Sequence, residues 1–141
     1  MANGWLLVFM LTLAACTDPT GIEIDGAYVR EPPPTRNVAS GYFTALNQSG
    51  ALRKLVAAHT DAAERVEIHT HEHDGDMLRM RRLDALDLPP GERVTLAPGG
   101  THLMIFGVER FATDRIEMVL VFDDGTEQRV LFEVRKAALA P

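Results

Sequence analysis

Hydrophobic and polar residues alternate in short runs from residue 22 onward, and turn-forming residues interrupt these runs about every ten positions. A period of two places successive side chains on opposite faces of a strand, whereas no long stretch shows the 3.6-residue period of a helix. This pattern is typical of an all-β sandwich or barrel. The predicted strands are residues 26–30, 41–46, 52–59, 65–73, 93–96, 102–108, 116–122 and 128–135.

The N-terminal segment has a different character from the rest of the chain. Residues 5–15 form a short apolar run without charge, which is too short for a membrane-spanning helix and typical of a signal peptide. Residues 13–16 (LAAC) resemble the lipobox of bacterial lipoproteins, so we expect cleavage before Cys16 and lipidation of its thiol. The alternatives are a plain secretory signal with an incidental cysteine, or a buried structural thiol.

These features divide the chain into four predicted parts and place the mature protein in the periplasm, anchored to a membrane by lipid. A polar, turn-rich tether is expected to separate the lipid from the fold. The parts are a signal peptide at residues 1–15, the tether at 16–21, one domain at 22–137 and a C-terminal tail at 138–141.

Charge and cysteine content exclude several classes of function. The chain has 20 acidic and 14 basic residues and a formal net charge of −6, which argues against a nucleic-acid partner because binding phosphates needs clustered cations. A single cysteine cannot form an internal disulfide, a Cys-x-x-Cys redox pair or a thiolate metal cage.

Histidine and methionine are concentrated in one short stretch, residues 66–80. We predict that Asp74 and Gly75 form a two-residue type I′ hairpin turn, as this dipeptide favours. In that register His69 lies opposite Met80, and His71 lies opposite Leu78. An imidazole nitrogen and a thioether sulfur then share one face of the sheet. The stretch contains His69, His71, His73, Met77 and Met80.

A second pair follows two glycines further along the chain. His102 and Met104 are two residues apart on a predicted strand, so they face the same side while Leu103 faces the other. Two imidazoles and two thioethers are soft, neutral ligands that favour Cu(I) over zinc, calcium or magnesium. They also suit an oxidising compartment, where thiolate ligands are lost to disulfides.

The spacing of these four residues resembles a known family. Ten, twenty-one and one residues separate His69, Met80, His102 and Met104, which matches the His-x10-Met-x21-His-x-Met pattern of periplasmic copper chaperones of the PCuAC type. Neighbouring segments such as 66–69 and 96–100 are also similar to that family, and the resemblance extends over residues 26–134.

The resemblance implies a fold, a metal and a recipient. The expected fold class is all-β, a cupredoxin-like Greek-key β-sandwich or barrel. The expected function is that of a non-enzymatic metallochaperone, which carries Cu(I) to a cytochrome c oxidase subunit with its Cu(A) site or to a thioredoxin-like copper chaperone. The alternative is a metal-independent β-sandwich lipoprotein with a structural or assembly role.

One departure from the family pattern suggests an additional site. Many members of the family have a methionine just after the first histidine, and this chain instead has Thr70 and His71. A row of His69, His71 and His73 would accept Cu(II) as well, because imidazole binds both oxidation states of copper. The alternative is that His71 and His73 only solvate the loop. Met77 is a further candidate ligand, whereas His59 and Met118 are expected to have no role in metal binding.

Overall fold

The computed structural model describes residues 20–137. The predicted signal peptide, Cys16, most of the tether and the tail at 138–141 therefore lie outside the described residues. None of the described residues forms a helix with the length and apolar character needed to cross a membrane. The strands are β1 (Ile22–Arg30), β2 (Val38–Asn47), β3 (Arg53–His59), β4 (Arg65–Asp74), β5 (Met77–Leu83), β6 (Leu86–Leu88), β7 (Arg93–Thr95), β8 (His102–Phe106), β9 (Arg115–Phe122) and β10 (Glu127–Arg135).

The all-β prediction is confirmed, and each of the eight predicted strands corresponds to an observed one. Two of the ten observed strands are not among the eight: β5 was implied only by the predicted hairpin, and β6 was missed because its three residues are too few to show a period. The hairpin of β9 and β10 has the predicted turn at residues 123–126. The backbone N–H of Phe122 donates to the carbonyl oxygen of Thr126 at its base.

The strands form a single sheet that curls on itself. Its order is β5-β4-β8-β2-β1-β10-β9-β3-β6, with β7 paired to β2. β3 also contacts β4, so distant parts of the sheet face each other across the core. One neighbouring pair, β1 and β10, is parallel; the other pairs are antiparallel. This mixed, curled sheet has the predicted cupredoxin-like character.

Alternation along the strands builds the core. On β9 every second side chain is buried, and on β8 Leu103 and Ile105 are fully buried while their neighbours face outward. Burying one such side chain stabilises the fold by about 1.5–3 kcal/mol. Phe43 and Phe132 meet edge to face, with ring centroids 6.1 Å apart. The inward side chains of β8 thus fix which of its residues face outward.

A β-bulge in β1 sets the orientation of two tyrosines. The pairing with β2 shifts between Asp25 and Tyr28, and Gly26 has a φ of 60° that an L side chain rarely adopts. Val29 is therefore fully buried, while Tyr28 packs against Tyr42 with centroids 5.0 Å apart.

The β4–β5 hairpin exists, but its predicted register is wrong. Asp74 pairs with Met77, so the turn residues are Gly75 and Asp76. Gly75 has a φ of 62°, whereas Asp76 is not among the residues of positive φ. This matches the type II′ pattern, which needs glycine only at the first turn position, and it spares the aspartate a left-handed conformation.

The observed register differs from the predicted one in which residues lie opposite each other, but every residue stays on its predicted face. His71 lies opposite Met80, His69 lies opposite Arg82, and His73 lies opposite Leu78. The shift equals two residues, and side chains alternate with a period of two. Met80 therefore stays on the histidine face, as the sequence predicted.

Arg53 links the start of the described chain to the β9–β10 turn through a hydrogen bond and two ion pairs. Its guanidinium donates to the carbonyl of Thr20 at 2.9 Å and pairs with Asp123 and Asp124. The backbone N–H of Lys54, together with Arg53, lowers the pKa of Asp123. Hydrogen bonds from Thr126, aided by Arg53, lower the pKa of Asp124.

We predict that these two carboxylates make the fold sensitive to acid. Because their pKa values are lowered in the folded state, they stabilise it above the unfolded value of 3.8, and the stabilisation is lost as pH falls through the folded values. The free energy of unfolding is measured by denaturant titration from pH 7 to pH 2. At neutral pH the double variant Asp123→Asn/Asp124→Asn should have a lower free energy of unfolding than wild type, and this free energy should fall less than that of wild type as the pH is lowered. Asp61→Asn, at an exposed turn, is the control; equal acid sensitivity of wild type and double variant would contradict the account.

Candidate metal centre

Three adjacent strands, β5, β4 and β8, carry the candidate ligands His69, Met80, His102 and Met104 on one outward face. On β4, Glu67, His69 and His71 alternate with the buried Ile68. On β8, His102 and Met104 alternate with the buried Leu103, as predicted. Burial of the core-facing neighbours turns the polar and sulfur-containing side chains to the same side.

His69 and His102 are the central pair of this face. They lie directly opposite each other in the β4–β8 ladder, and their ring centroids are 6.2 Å apart. Residues in such positions have Cβ atoms about 5 Å apart. Two imidazoles are therefore placed where they can share one ion.

Glu67 holds the ring of His69. Its carboxylate lies 2.8 Å from His69 Nε2. A carboxylate can only accept, so Nε2 is the donor and Nδ1 carries the lone pair in the neutral ring. That Nδ1 is buried and has no hydrogen-bond partner. The bond to His69 is the largest cause of a lowered pKa at Glu67, so the contact favours the charged carboxylate. This arrangement matches the carboxylate–histidine pairs that orient metal ligands.

The main chain holds the ring of His102. The side chain is 5% exposed, and Nδ1 lies 3.0 Å from the carbonyl oxygen of Gly100. The carbonyl accepts, so Nε2 of the neutral ring keeps its lone pair. Burial lowers the pKa of His102, which favours the neutral form that binds metal. The ring of Tyr42, 6.4 Å away, packs on one side.

The two thioethers complete the set from opposite sides of β4. Met104 is half-buried on β8, opposite Glu67, whereas Met80 is 49% exposed on the edge strand β5. Both methionines line an open cleft of about 530 Å³ together with His102 and the loop before β2. Three of the four residues that the sequence predicted as primary ligands thus surround one opening, and the fourth, His69, lies on the same sheet face opposite His102.

The additional candidates fall in different places. His71 belongs to the cluster, because its ring stacks on that of His102 with centroids 5.3 Å apart. His73 is exposed near the hairpin turn, and Met77 pairs with Asp74 on the opposite face of the hairpin. The structure therefore brings neither His73 nor Met77 to the cleft.

The sequence analysis missed the groups that orient the ligands. Glu67 precedes His69 by two residues on a strand, so its shared face was predictable from alternation. The carbonyl of Gly100 had no comparable signal, because side-chain alternation does not show which backbone oxygen accepts a hydrogen bond from the His102 ring.

The donors fit a soft ion better than a hard one. Among residues 20–137, no three His, Cys, Asp or Glu side chains form a group that could hold a metal ion. A metal site on this face would therefore have to include the methionines, whose thioether sulfur favours Cu(I) over zinc, calcium or magnesium. The unpartnered Nδ1 of His69 is the clearest sign that a ligand belongs there, because buried polar atoms are normally paired.

We predict that Glu67→Gln lowers Cu(I) affinity about 10–100-fold, the usual effect of removing a group that orients a metal ligand. The amide no longer supplies the negative charge that favours the Nε2–H form of His69. Competition titration with a Cu(I) chelator measures the change. Glu72→Gln, on the other face of β4 and paired with Arg81, should match wild type. Unchanged affinity in Glu67→Gln would rule out this role.

Comparisons with known proteins show which family the chain belongs to. A sequence profile described as "Putative lipoprotein LpqE-like" matches residues 22–134. A protein of Leifsonia xyli subsp. xyli, "Putative lipoprotein Lxx21020", is 26% identical over 118 residues, which cover 82% of this chain and 70% of that protein.

Two solved structures share the fold. The copper-bound PCuAC domain from PmoF2 is 26% identical with a TM-score of 0.71, and the match covers 83% of this chain and 94% of that domain. The Cu(I) form of DR1885 from Deinococcus radiodurans is 29% identical with a TM-score of 0.66, and the match covers 87% of this chain and 83% of that one.

Proposed function

Because the chain belongs to the LpqE-like lipoprotein family and has the fold of PCuAC copper-binding domains, we propose that it is a periplasmic copper(I) metallochaperone. His69, Met80, His102 and Met104 are the proposed ligands. The observation that carries the proposal is their convergence on one sheet face, with the unpartnered Nδ1 of His69 beside the buried ring of His102.

Each proposed ligand contributes one neutral donor. His69 supplies Nδ1 and His102 supplies Nε2, because hydrogen bonds to Glu67 and Gly100 engage the other ring nitrogens. Met80 and Met104 supply sulfur. Neutral donors leave the single charge of Cu(I) uncompensated, and the nearby Glu67 carboxylate offsets it electrostatically.

A gradient of burial across the ligands supports a carrier rather than a permanent store. His102 is buried at the inner end, and Met80 is half exposed on the outermost strand. A recipient can therefore displace Met80 first and take the ion by stepwise ligand exchange. No substrate bond is made or broken, so the proposed function is not enzymatic.

The recipient follows from the resemblance to PCuAC chaperones. We propose delivery to the Cu(A) site of cytochrome c oxidase or to a thioredoxin-like copper chaperone for that site. Both recipients act outside the cytoplasm, where a lipid on Cys16 would hold the carrier at the membrane surface. The lipoprotein names of the family and of its Leifsonia relative support the anchor.

Replacing either methionine should weaken Cu(I) binding. We expect Met80→Leu and Met104→Leu each to lower affinity on the order of tenfold or more, equivalent to about 1.4 kcal/mol per tenfold, because leucine keeps the volume but has no sulfur. Competition with a Cu(I) chelator under anaerobic conditions measures the affinity.

Met77→Leu is the matched control, because Met77 is similarly exposed but lies on the other face of the hairpin. Wild-type affinity in both test variants would contradict the ligand assignment. Absence of copper binding in the wild type, with a melting temperature that copper does not change, would instead favour a metal-independent structural lipoprotein.

Cys16→Ser should release the protein from the membrane. Cells expressing the full chain would be fractionated and assayed for incorporation of labelled fatty acid. We expect wild type in the membrane fraction with label and the variant without label, because the thiol is the proposed attachment point. Membrane retention and labelling of Cys16→Ser would exclude lipidation at this residue.

A further inference from the structure

We infer that a basic groove beside the copper cleft is the docking surface for the protein that receives the ion, and that this recipient presents an acidic surface. The inference deepens the proposed function and rests on it, since a recipient is needed only if the chain carries copper. The basic residues that line the cleft and the groove are Arg36, Arg110 and Lys136.

Three recesses adjoin one another along the loop before β2. The copper cleft shares Pro33 and residues 35–37 with a second recess of about 590 Å³. The second recess shares Glu109 and Arg110 with a third, of about 430 Å³, which extends to Lys136 after the end of β10. The second and third recesses together are the basic groove. A protein that reaches the cleft from this side therefore lies over the groove as well.

Basic side chains without an ion pair are concentrated in this groove. Nine of the fourteen basic residues form ion pairs within residues 20–137, and these include every arginine of β4 and β5. Three of the remaining five line the groove, where they are free to bind carboxylates of another molecule. The five are Arg30, Arg36, Arg110, Arg115 and Lys136.

The carboxylates that line the groove do not cancel this positive charge. Glu31 and Glu109 are the two acidic lining residues. The carboxylate of Glu31 accepts the N–H of Phe111 at 3.1 Å, so it is already engaged with the main chain. The groove therefore has an excess of cations on a chain whose formal net charge is −6. A partner with the complementary charge, an acidic surface, fits this groove.

The loop that separates the cleft from the groove is held in a defined conformation. The N–H of Arg36 donates to the carbonyl of Pro33 at 3.1 Å, and the carbonyl of Asn37 accepts from two N–H groups directly after β8, both at 3.0 Å. Thr35 has a φ of 75°, which is unfavourable for a β-branched residue. Strain of this kind concentrates at binding sites, so the loop is a suitable wall between the ion and a docked protein.

The position of the groove suits transfer of the ion. Met80, His102 and Met104 line the cleft together with the same loop. A recipient docked on the groove therefore lies next to three of the four proposed ligands. Electrostatic attraction raises the rate of association and orients the recipient. Cu(I) affinity should be nearly independent of Arg110 and Lys136, because neither residue lines the cleft.

An acidic protein fits the groove better than an anionic membrane surface does. Lipid headgroups form a flat layer and bind cations that protrude, whereas these cations line recesses that also contain the carboxylate of Glu109. A protein surface can fill the recesses and place its own carboxylates against Arg110 and Lys136. A second copy of the chain is a further possible occupant, because its hairpin turn carries Asp74 and Asp76.

The test measures transfer of Cu(I) from the purified full chain, in non-ionic detergent, to two copper-free probes. The probes are the soluble Cu(A) domain of cytochrome c oxidase and a soluble thioredoxin-like copper chaperone. We expect Arg110→Glu/Lys136→Glu to lower the second-order transfer rate to at least one probe by about tenfold or more at low salt. The dependence of this rate on salt should also weaken. Cu(I) affinity, measured by chelator competition, should change less than about threefold.

Two variants serve as controls. Arg115→Glu changes a residue that is also exposed and without an ion pair within residues 20–137, but this residue lines a separate recess with His59. It should transfer Cu(I) at the wild-type rate. Arg110→Lys keeps the positive charge and should also resemble wild type, which separates the effect of charge from an effect on folding.

Failure of this inference is distinguishable from failure of the proposed function. Equal rates and equal salt dependence in wild type and the double variant would overturn the docking surface alone, as would an equal loss of rate in Arg115→Glu. Wild type that binds Cu(I) but delivers it to neither probe would also overturn it. Absence of Cu(I) binding in wild type would overturn the proposed function and the inference together.

The same variants identify the other two occupants. With equal transfer rates, binding to vesicles that contain anionic phosphatidylglycerol by wild type but not by the double variant would assign the groove to the membrane instead. Dimerisation of wild type that the double variant loses, measured by analytical ultracentrifugation, would assign it to a second copy. Either result would contradict docking of an acidic recipient.

Discussion

The metal centre depends on the alternation of side chains along two paired strands, β4 and β8. Ile68 and Leu103 are buried in the core at opposed positions of this ladder, and burial of each contributes about 1.5–3 kcal/mol. Their neighbours His69 and His102 must then face outward together. A one-residue slip would expose both apolar residues and bury both imidazoles, so the packing of the core holds the ligand register.

The candidate ligands differ in how firmly the protein holds them. The hydrogen bonds that the imidazoles of His69 and His102 donate to Glu67 and to the carbonyl of Gly100 orient the two rings, so little ordering is required when the ion arrives. Met80, on the edge strand, is half exposed and has only β4 as a neighbour. In the proposed function the inner donors would provide affinity, and the outer sulfur would be the point at which another protein takes over the ion.

Much of the fold, and the placement of the candidate ligands on one face, was predictable because both rest on local periodicity. Leu103 and its neighbours, for example, show the period of two without any tertiary information. The turn of the β4–β5 hairpin was predicted one position too early, since Asp74-Gly75 and Gly75-Asp76 both satisfy short-turn chemistry and only the packed hairpin selects between them. The role of the Gly100 carbonyl was not predictable, because the alternation of side chains does not show which backbone oxygen accepts from the ring of His102. The placement of Cys16 lies outside the described residues, and its lipidation stays a prediction.

The most direct test of the central claim is X-ray absorption spectroscopy at the copper edge on the Cu(I)-loaded mature domain. The account predicts a one-to-one complex whose first shell contains two sulfur and two nitrogen scatterers, with the nitrogen signal showing the outer-shell pattern of imidazole. Loss of one sulfur in Met104→Leu would identify its source. A first shell of nitrogen and oxygen alone, or a copper content far below one per chain, would contradict the claim that this sheet face is a histidine–methionine copper site.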